Sequence, residues 1–139
     1  MLQDGLLSVG QHEWNQHVKP PLKHASTRAI ELALLLDQEF GERAAIHLVA
    51  VFFRVCLMND EQRGVPMAQI MRTLGMPSSS TTRNIQALGS KPPVGSAPGT
   101  KPGLGLVDVL DDPRDARAKL VFITPRGRRL WERVTNILQ

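Results

Sequence analysis

The stretch from Leu106 to Gly127, LVDVLDDPRDARAKLVFITPRG, sets the tightest limits on the fold. Leu106 to Leu110 is apolar apart from Asp108, and Leu120 to Thr124 is apolar and β-prone. Between them DDPRDARAK carries Pro113 and alternates acids with bases. This pattern predicts two short strands joined by a charged turn. The hairpin spans 106–124, and its tip carries Arg114, Arg117 and Lys119 into solvent. Thr124 and Pro125 then predict a helix entry. A hydroxyl cap is followed by proline at the first helical position, where its missing N–H costs nothing. The helix, 125–139, places Leu130, Trp131, Val134, Ile137 and Leu138 at three-to-four spacing. Arg126, Arg128, Arg129 and Arg133 line its other side.

The chain upstream reads as helices. Ser26 to about Phe40 forms one, closed by Gly41. A second, from about Arg43 to Met58, is apolar nearly all round and therefore central, with His47 and Arg54 on its one wet stripe. Cys56 reads there as a small core hydrophobe. NDEQRG, from Asn59 to Gly64, is a loop, and Val65 offers a single bridge of β pairing. Pro66 opens a short helix that ends at Gly75, with Ile70, Met71 and Leu74 inward. A further helix follows over 78–88, SSSTTRNIQAL. Two short helices joined by a glycine-bearing turn have the helix-turn-helix signature. The second starts with Ser78, Ser79, Ser80, Thr81, Thr82, Arg83 and Asn84. Hydroxyls, an amide and a guanidinium at a helix N-terminus suit phosphates and base edges, helped by the free backbone N–H groups and the helix dipole.

From Gly89 to Gly103 the chain reads GSKPPVGSAPGTKPG, with four Pro, two Lys and no acid. It cannot bury much apolar area. It is either a flexible insertion or a contact to a nucleic-acid backbone through Lys91 and Lys101. Residues 1–25 form an N-terminal arm with irregularly spaced Leu, Val and Trp. The expected class is mainly α with a small β-hairpin wing (α+β). It is a winged helix-turn-helix domain over 26–139, with recognition helix 78–88, insertion 89–103, wing 106–124 and C-terminal helix 125–139.

Charge distribution points the same way. Residues 1–60 hold 5 Lys/Arg against 7 Asp/Glu, a balance of −2, whereas residues 61–139 hold 12 against 6, a balance of +6. The basic excess lies in the half that contains the hairpin, which favours a polyanionic partner. One cysteine excludes an internal disulfide and fits a reducing cytosol. The first residues lack a basic n-region, and the longest apolar run, AAIHLVAVFF, is stopped by Arg54 before it could span a bilayer. A soluble, cytoplasmic protein with no membrane partner is expected. His12, Glu13, His17 and His24 lack metal-ligand spacing. No Gly-rich phosphate loop, carboxylate pair or nucleophile-base pattern appears. Neither an enzyme, a cofactor nor a metal site is expected.

LGMPSSSTTRNIQAL followed by GLVDVLDDPRDARAKLVFITPRG resembles the winged helix-turn-helix core of the MarR (multiple antibiotic resistance regulator) family of bacterial transcription regulators. The resemblance covers roughly Val65 to Val134. Its most specific piece is the wing pattern: Asp-Pro, the step Asp115-Ala116-Arg117, an apolar strand, then Ile-Thr-Pro and glycine. It implies a sequence-specific regulator of transcription on double-stranded DNA, a repressor acting as a homodimer. Ser78, Ser79, Thr82, Arg83 and Gln86 would meet the major groove. Arg117, with Arg114 or Lys119, would reach the minor groove. The family pattern has no counterpart for the 89–103 insertion, and Thr81 replaces a usually apolar position. With the chain stopping at Gln139, either the N-terminal arm and first helix are expected to supply more of the dimer interface or the dimer differs from the family's. The resemblance leaves room for a small-molecule effector, to which no residue pattern points. The alternative function is a winged-helix protein-interaction or architectural module of a mobile-element, replication or partition complex.

Overall fold

A computed structural model describes residues 20–92 and 95–139. Most of the expected N-terminal arm therefore lies outside the described residues. Five helices and one small sheet make up the rest. Helix α1 spans Pro20–Phe40 and is followed by a 3-10 turn at Gly41–Arg43. Helix α2 spans Ile46–Leu57, α3 Met67–Leu74, α4 Ser78–Leu88 and α5 Pro125–Leu138. Strands β1 (Val65–Pro66), β2 (Val107–Asp112) and β3 (Asp115–Ile123) form an antiparallel sheet in the order β1-β3-β2.

Two helix starts differ from expectation. Helix α1 begins six residues before Ser26, at the Pro20-Pro21 pair. Proline is tolerated in a first turn because those N–H groups have no intrahelical acceptor. Helix α2 begins at Ile46 because Gly41–Arg43 makes its own turn and Ala45 is extended, with φ −122° and ψ 143°. Nor is α2 buried all round. Leu48, Val51, Phe52, Val55 and Cys56 form its core face, while Ile46 and Leu57 are exposed. His47 is exposed as expected, but Arg54 is half-buried.

The core joins α2, the two short helices and the sheet. Val51, Phe52, Val55, Ile70, Ile85, Leu88, Val107 and Val121 pack there with little or no exposure. Four aromatic rings, Phe40, Phe52, Phe53 and Trp131, are linked. Phe40 meets Phe52 edge-on at 6.0 Å, and Phe53 meets Trp131 of α5 at 5.4 Å. This chain of rings ties α1, α2 and α5 together in geometries aromatic pairs favour.

The hairpin lies within the expected 106–124, but its strands are longer and its turn tighter than expected. Asp111 pairs with Lys119 across the strands, and Asp112 with Asp115. Only Pro113 and Arg114 are left in the turn. Asp112 Oδ1 accepts the Arg114 backbone N–H at 2.9 Å, a local device that closes the turn.

The 89–103 segment leaves the fold and returns to the same place. Leu104, Gly105 and Leu106 N–H donate to the carbonyls of Ala87, Gly89 and Leu88 at 2.9, 3.2 and 2.8 Å. Its two ends are thus pinned together under the last turn of α4, and Arg43 Nη1 reaches the Pro102 carbonyl at 3.1 Å. No helix among the described residues is long and apolar enough to cross a membrane.

Candidate nucleic-acid interface

The exposed face of α4 follows from its period. Thr81, Ile85 and Leu88, at i, i+4 and i+7, are buried. They face the core, and α4 packs on α2 and α3. The opposite row is Ser79, Arg83 and Gln86, all exposed, with exposed Ser78 beside it. Thr82 sits on the flank, half-buried, and its hydroxyl reaches Met67 Sδ of α3 at 3.7 Å. Asn84 is turned into its own helix, where Nδ2 donates to the Ser80 carbonyl at 2.9 Å. Pro77, extended with ψ 153°, precedes α4 and gives no side-chain cap. The first N–H groups of α4 therefore stay free of a side-chain acceptor from Pro77, on the same end as Ser78 and Ser79.

Glycine fixes the approach between α3 and α4. Gly75 ends α3 in the left-handed region at φ +63°, where other residues are strained.

The wing supplies a second exposed basic group. Arg114 sits in the turn and Arg117 on β3 just beyond it, where Asp115 Oδ1 accepts its backbone N–H at 3.0 Å. Strand alternation places Lys119 on the face shared with buried Val121, while exposed Arg117 lies in the irregular stretch of β3 where the register shifts. Lys119 is ion-paired with Asp111, so its charge is partly answered within the hairpin. Among the described residues, neither Arg83, Arg114 nor Arg117 has an ion-pair partner. The structure thus brings Ser79, Arg83 and Gln86 into one row with Ser78 beside them. It sets Arg114 and Arg117 near the hairpin end, and it separates Lys119 from that end by several residues.

The base of the wing is locked to α5. Thr124 Oγ1 accepts the Gly127 N–H at 3.0 Å and donates to the Gly105 carbonyl at 2.7 Å, while Thr124 N–H donates to the Leu106 carbonyl at 3.1 Å. Gly127 lies against the Leu106 carbonyl with no room for a side chain.

One basic residue escaped the sequence reading. Arg63, in the loop before β1, lines a cleft of about 660 Å³ together with Arg114, and the acids beside it in NDEQRG concealed its character. Cys56 is buried in α2, and burial pushes its thiol up to about 12. That leaves no thiolate to react near neutral pH.

A helix-turn-helix followed by a β-hairpin and a trailing helix defines a winged helix-turn-helix protein. The fold is that of MarR-like regulators. The Staphylococcus aureus MepR–DNA complex is 17% identical, over 79% of this chain and 77% of that one, with a TM-score of 0.58. A crystal structure of MarR is 14% identical, over 86% and 75%, with a TM-score of 0.53. The Streptomyces coelicolor regulator PcaV, with its natural ligand, is 19% identical, over 87% and 73%, with a TM-score of 0.52. No protein-family model matches the sequence and no curated protein matches it.

Proposed function

We propose that the chain is a transcriptional regulator that binds double-stranded DNA sequence-specifically, as a repressor and as a homodimer. The observation that carries this reading is the exposed row Ser79, Arg83 and Gln86 of α4, with Ser78 beside it, opposite a fully buried row. A helix buried on one side needs no polar hydrogen-bonding groups of this kind on the other for stability. A major groove needs them, because base edges present paired donors and acceptors. Arg83 is the base reader of the row, while Ser78, Ser79 and the free N–H groups of the first turn meet phosphate. Thr82 sits at the edge of the same contact. Arg117 enters the minor groove, and Arg114 holds the adjoining backbone. Lys119 contributes least, since Asp111 already answers its charge. That one of the fold's neighbours is a DNA complex supports the geometry.

The test is selection of bound sequences from a random duplex pool, followed by gel shifts of variants on the selected site. A two-fold symmetric motif is expected, with half-sites about one helical turn apart. Arg83→Ala is expected to lose about 1–3 kcal/mol of discrimination between that site and random DNA. Arg117→Ala weakens binding most where the minor groove is A·T-rich. Selection of no motif, with sequence-blind binding and copurification of another polypeptide, would favour the protein-interaction or architectural module instead.

A further inference from the structure

We infer that Arg63 joins the wing-turn Arg114 in a clamp for the DNA sugar-phosphate backbone, which extends the wing's contact to the loop before β1. The inference rests on the DNA-binding reading above and adds a site to it. Both arginines line one open cleft between the Asp60–Gly64 loop and the outer face of the hairpin. Its floor is Leu110, Leu120 and Phe122, side chains on the hairpin face opposite Val121. Leu110, paired across the strands with Leu120, is 55% exposed there and leaves apolar surface at the cleft. A nucleic-acid backbone matches this mixture, with anionic phosphates for the guanidiniums and apolar sugar faces for the leucines.

The charges bear on the choice of ligand. Three aspartates also line the cleft, and each carboxylate is engaged locally. Asp60 Oδ1 accepts the N–H groups of Gln62 and Arg63, both at 3.0 Å. Asp111 holds Lys119, and Asp112 accepts the Arg114 N–H. The remaining acid of the loop, Glu61, is paired with Arg128 of α5 at 2.6 Å. The short acids are thus turned to backbone or to other cations. The two long guanidiniums are left without a carboxylate partner among the described residues.

The loop that carries Arg63 is also fixed. Gly64 N–H donates to the Asp60 carbonyl at 2.8 Å, and Gly64 adopts φ +73° directly over Phe122, whose ring would lie 2.7 Å from any Cβ. Arg63 is therefore presented on a closed turn seated on the sheet, with the position of its backbone set before DNA arrives. This lowers the ordering cost of the contact.

The experiment measures binding of a mixed-sequence duplex and of the selected site between 50 and 200 mM salt, for the parent and for Arg63→Ala, Arg114→Ala and Arg83→Ala. Each lost phosphate contact lowers the salt slope by about 0.9, so the affinity ratio across that range falls by roughly 3.5-fold per bound copy. Arg63→Ala and Arg114→Ala are expected to show this loss equally on both duplexes, and Arg63→Lys to restore the slope. An Arg63→Ala protein with the parent's affinity and slope, while Arg83→Ala still loses discrimination, would overturn the clamp and leave the DNA-binding reading intact. So would an Arg63→Ala loss confined to the selected site, which would make the residue a base reader. If neither Arg63→Ala, Arg114→Ala nor Arg83→Ala altered binding, the DNA-binding reading itself would fall.

Discussion

Thr124 is the residue on which most of the interface geometry converges. Its hydroxyl caps α5 and also holds the Gly105 carbonyl, and its N–H holds the Leu106 carbonyl. Removing it uncaps a helix and leaves a part-buried carbonyl without its donor. Thr124→Ala is expected to cost about 1–2 kcal/mol in urea unfolding, with Thr124→Ser retaining most of the stability. Gly127→Ala acts on the same joint by sterics, forcing α5 away from Leu106, and is expected to cost about 1–3 kcal/mol. Cys56 makes a different kind of prediction. Its thiol ionises near 12 in the folded chain, because burial penalises the charged form, against 9.0 for a free thiol. Below pH 9 both states keep the proton and the group is neutral towards folding. Between 9 and 12 the unfolded chain loses its proton first, so stability falls as pH rises. A denaturation midpoint followed from pH 8 to 11 is expected to fall more steeply for the parent than for Cys56→Ala. Native Cys56 should also resist alkylation at pH 8.

At the scale of elements, the insertion and the hairpin repay comparison. The 89–103 segment is closed at its base by three backbone hydrogen bonds, and Ser90 Oγ adds a contact to Asp108 Oδ1 at 3.1 Å. Deleting Lys91–Lys101 leaves Ser90, Pro102, Gly103 and Leu104 to join the already paired Gly89 and Gly105. The shortened loop is expected to fold with unchanged or slightly higher stability, since loop-closure entropy costs about 0.6 kcal/mol per doubling of length. The urea midpoint checks it. If the lysines of the loop touch DNA, the same deletion lowers the salt slope. The bounds of α4 were legible in the sequence because Pro77 and Gly89 punctuate it on both sides. The hairpin was legible as an element but not in its extent. DDPRDARAK looks like turn by composition, yet Asp111 opposite Lys119 is a cross-strand pair, and only Pro113 and Arg114 bend the chain. Charge alternation serves a turn and a ladder equally well, and nothing local decides between them. Arg63 was illegible for a related reason. Whether a loop arginine is neutralised depends on what its neighbouring acids bind, and Asp60 and Glu61 bind a backbone turn and a helix 67 residues away in Glu61–Arg128. Similarly, the sequence points to Ser26 rather than Pro20 as the start of α1, because a sequence cannot say whether a proline interrupts a helix or opens it.

For the whole molecule, the proposed homodimer needs a face on which two copies could meet. Helices α1 and α5 pack on each other, and Arg133 Nη1 holds Glu39 Oε1 at 3.0 Å. On α1, the core side presents Leu35 and Phe40, with Leu32 and Leu36 partly buried. The opposite side presents Ile30 and Leu34, 62% and 66% exposed and one turn apart. Leu22 and, on α5, Leu138 are exposed as well. An apolar stripe at i, i+4 on an outward face is what a helix offers to a partner helix, and a second copy of this chain offers the same stripe back. Dimerisation through α1 also leaves α4 and the wing uncovered. The paired change Ile30→Glu with Leu34→Glu places four carboxylates across such a seam and touches no core contact. Sedimentation equilibrium is expected to give a monomer mass for this variant and a dimer mass for the parent, with similar thermal unfolding of each subunit. The DNA consequence follows from geometry. A monomer presents one recognition helix and one wing, so its salt slope on the selected site should fall to about half that of the parent, and it should bind isolated half-sites as well as whole ones. A double variant that kept the parent's mass would place the interface elsewhere. One that lost mass but kept the full slope would mean that a single copy makes every contact, and the symmetric site would then need another explanation.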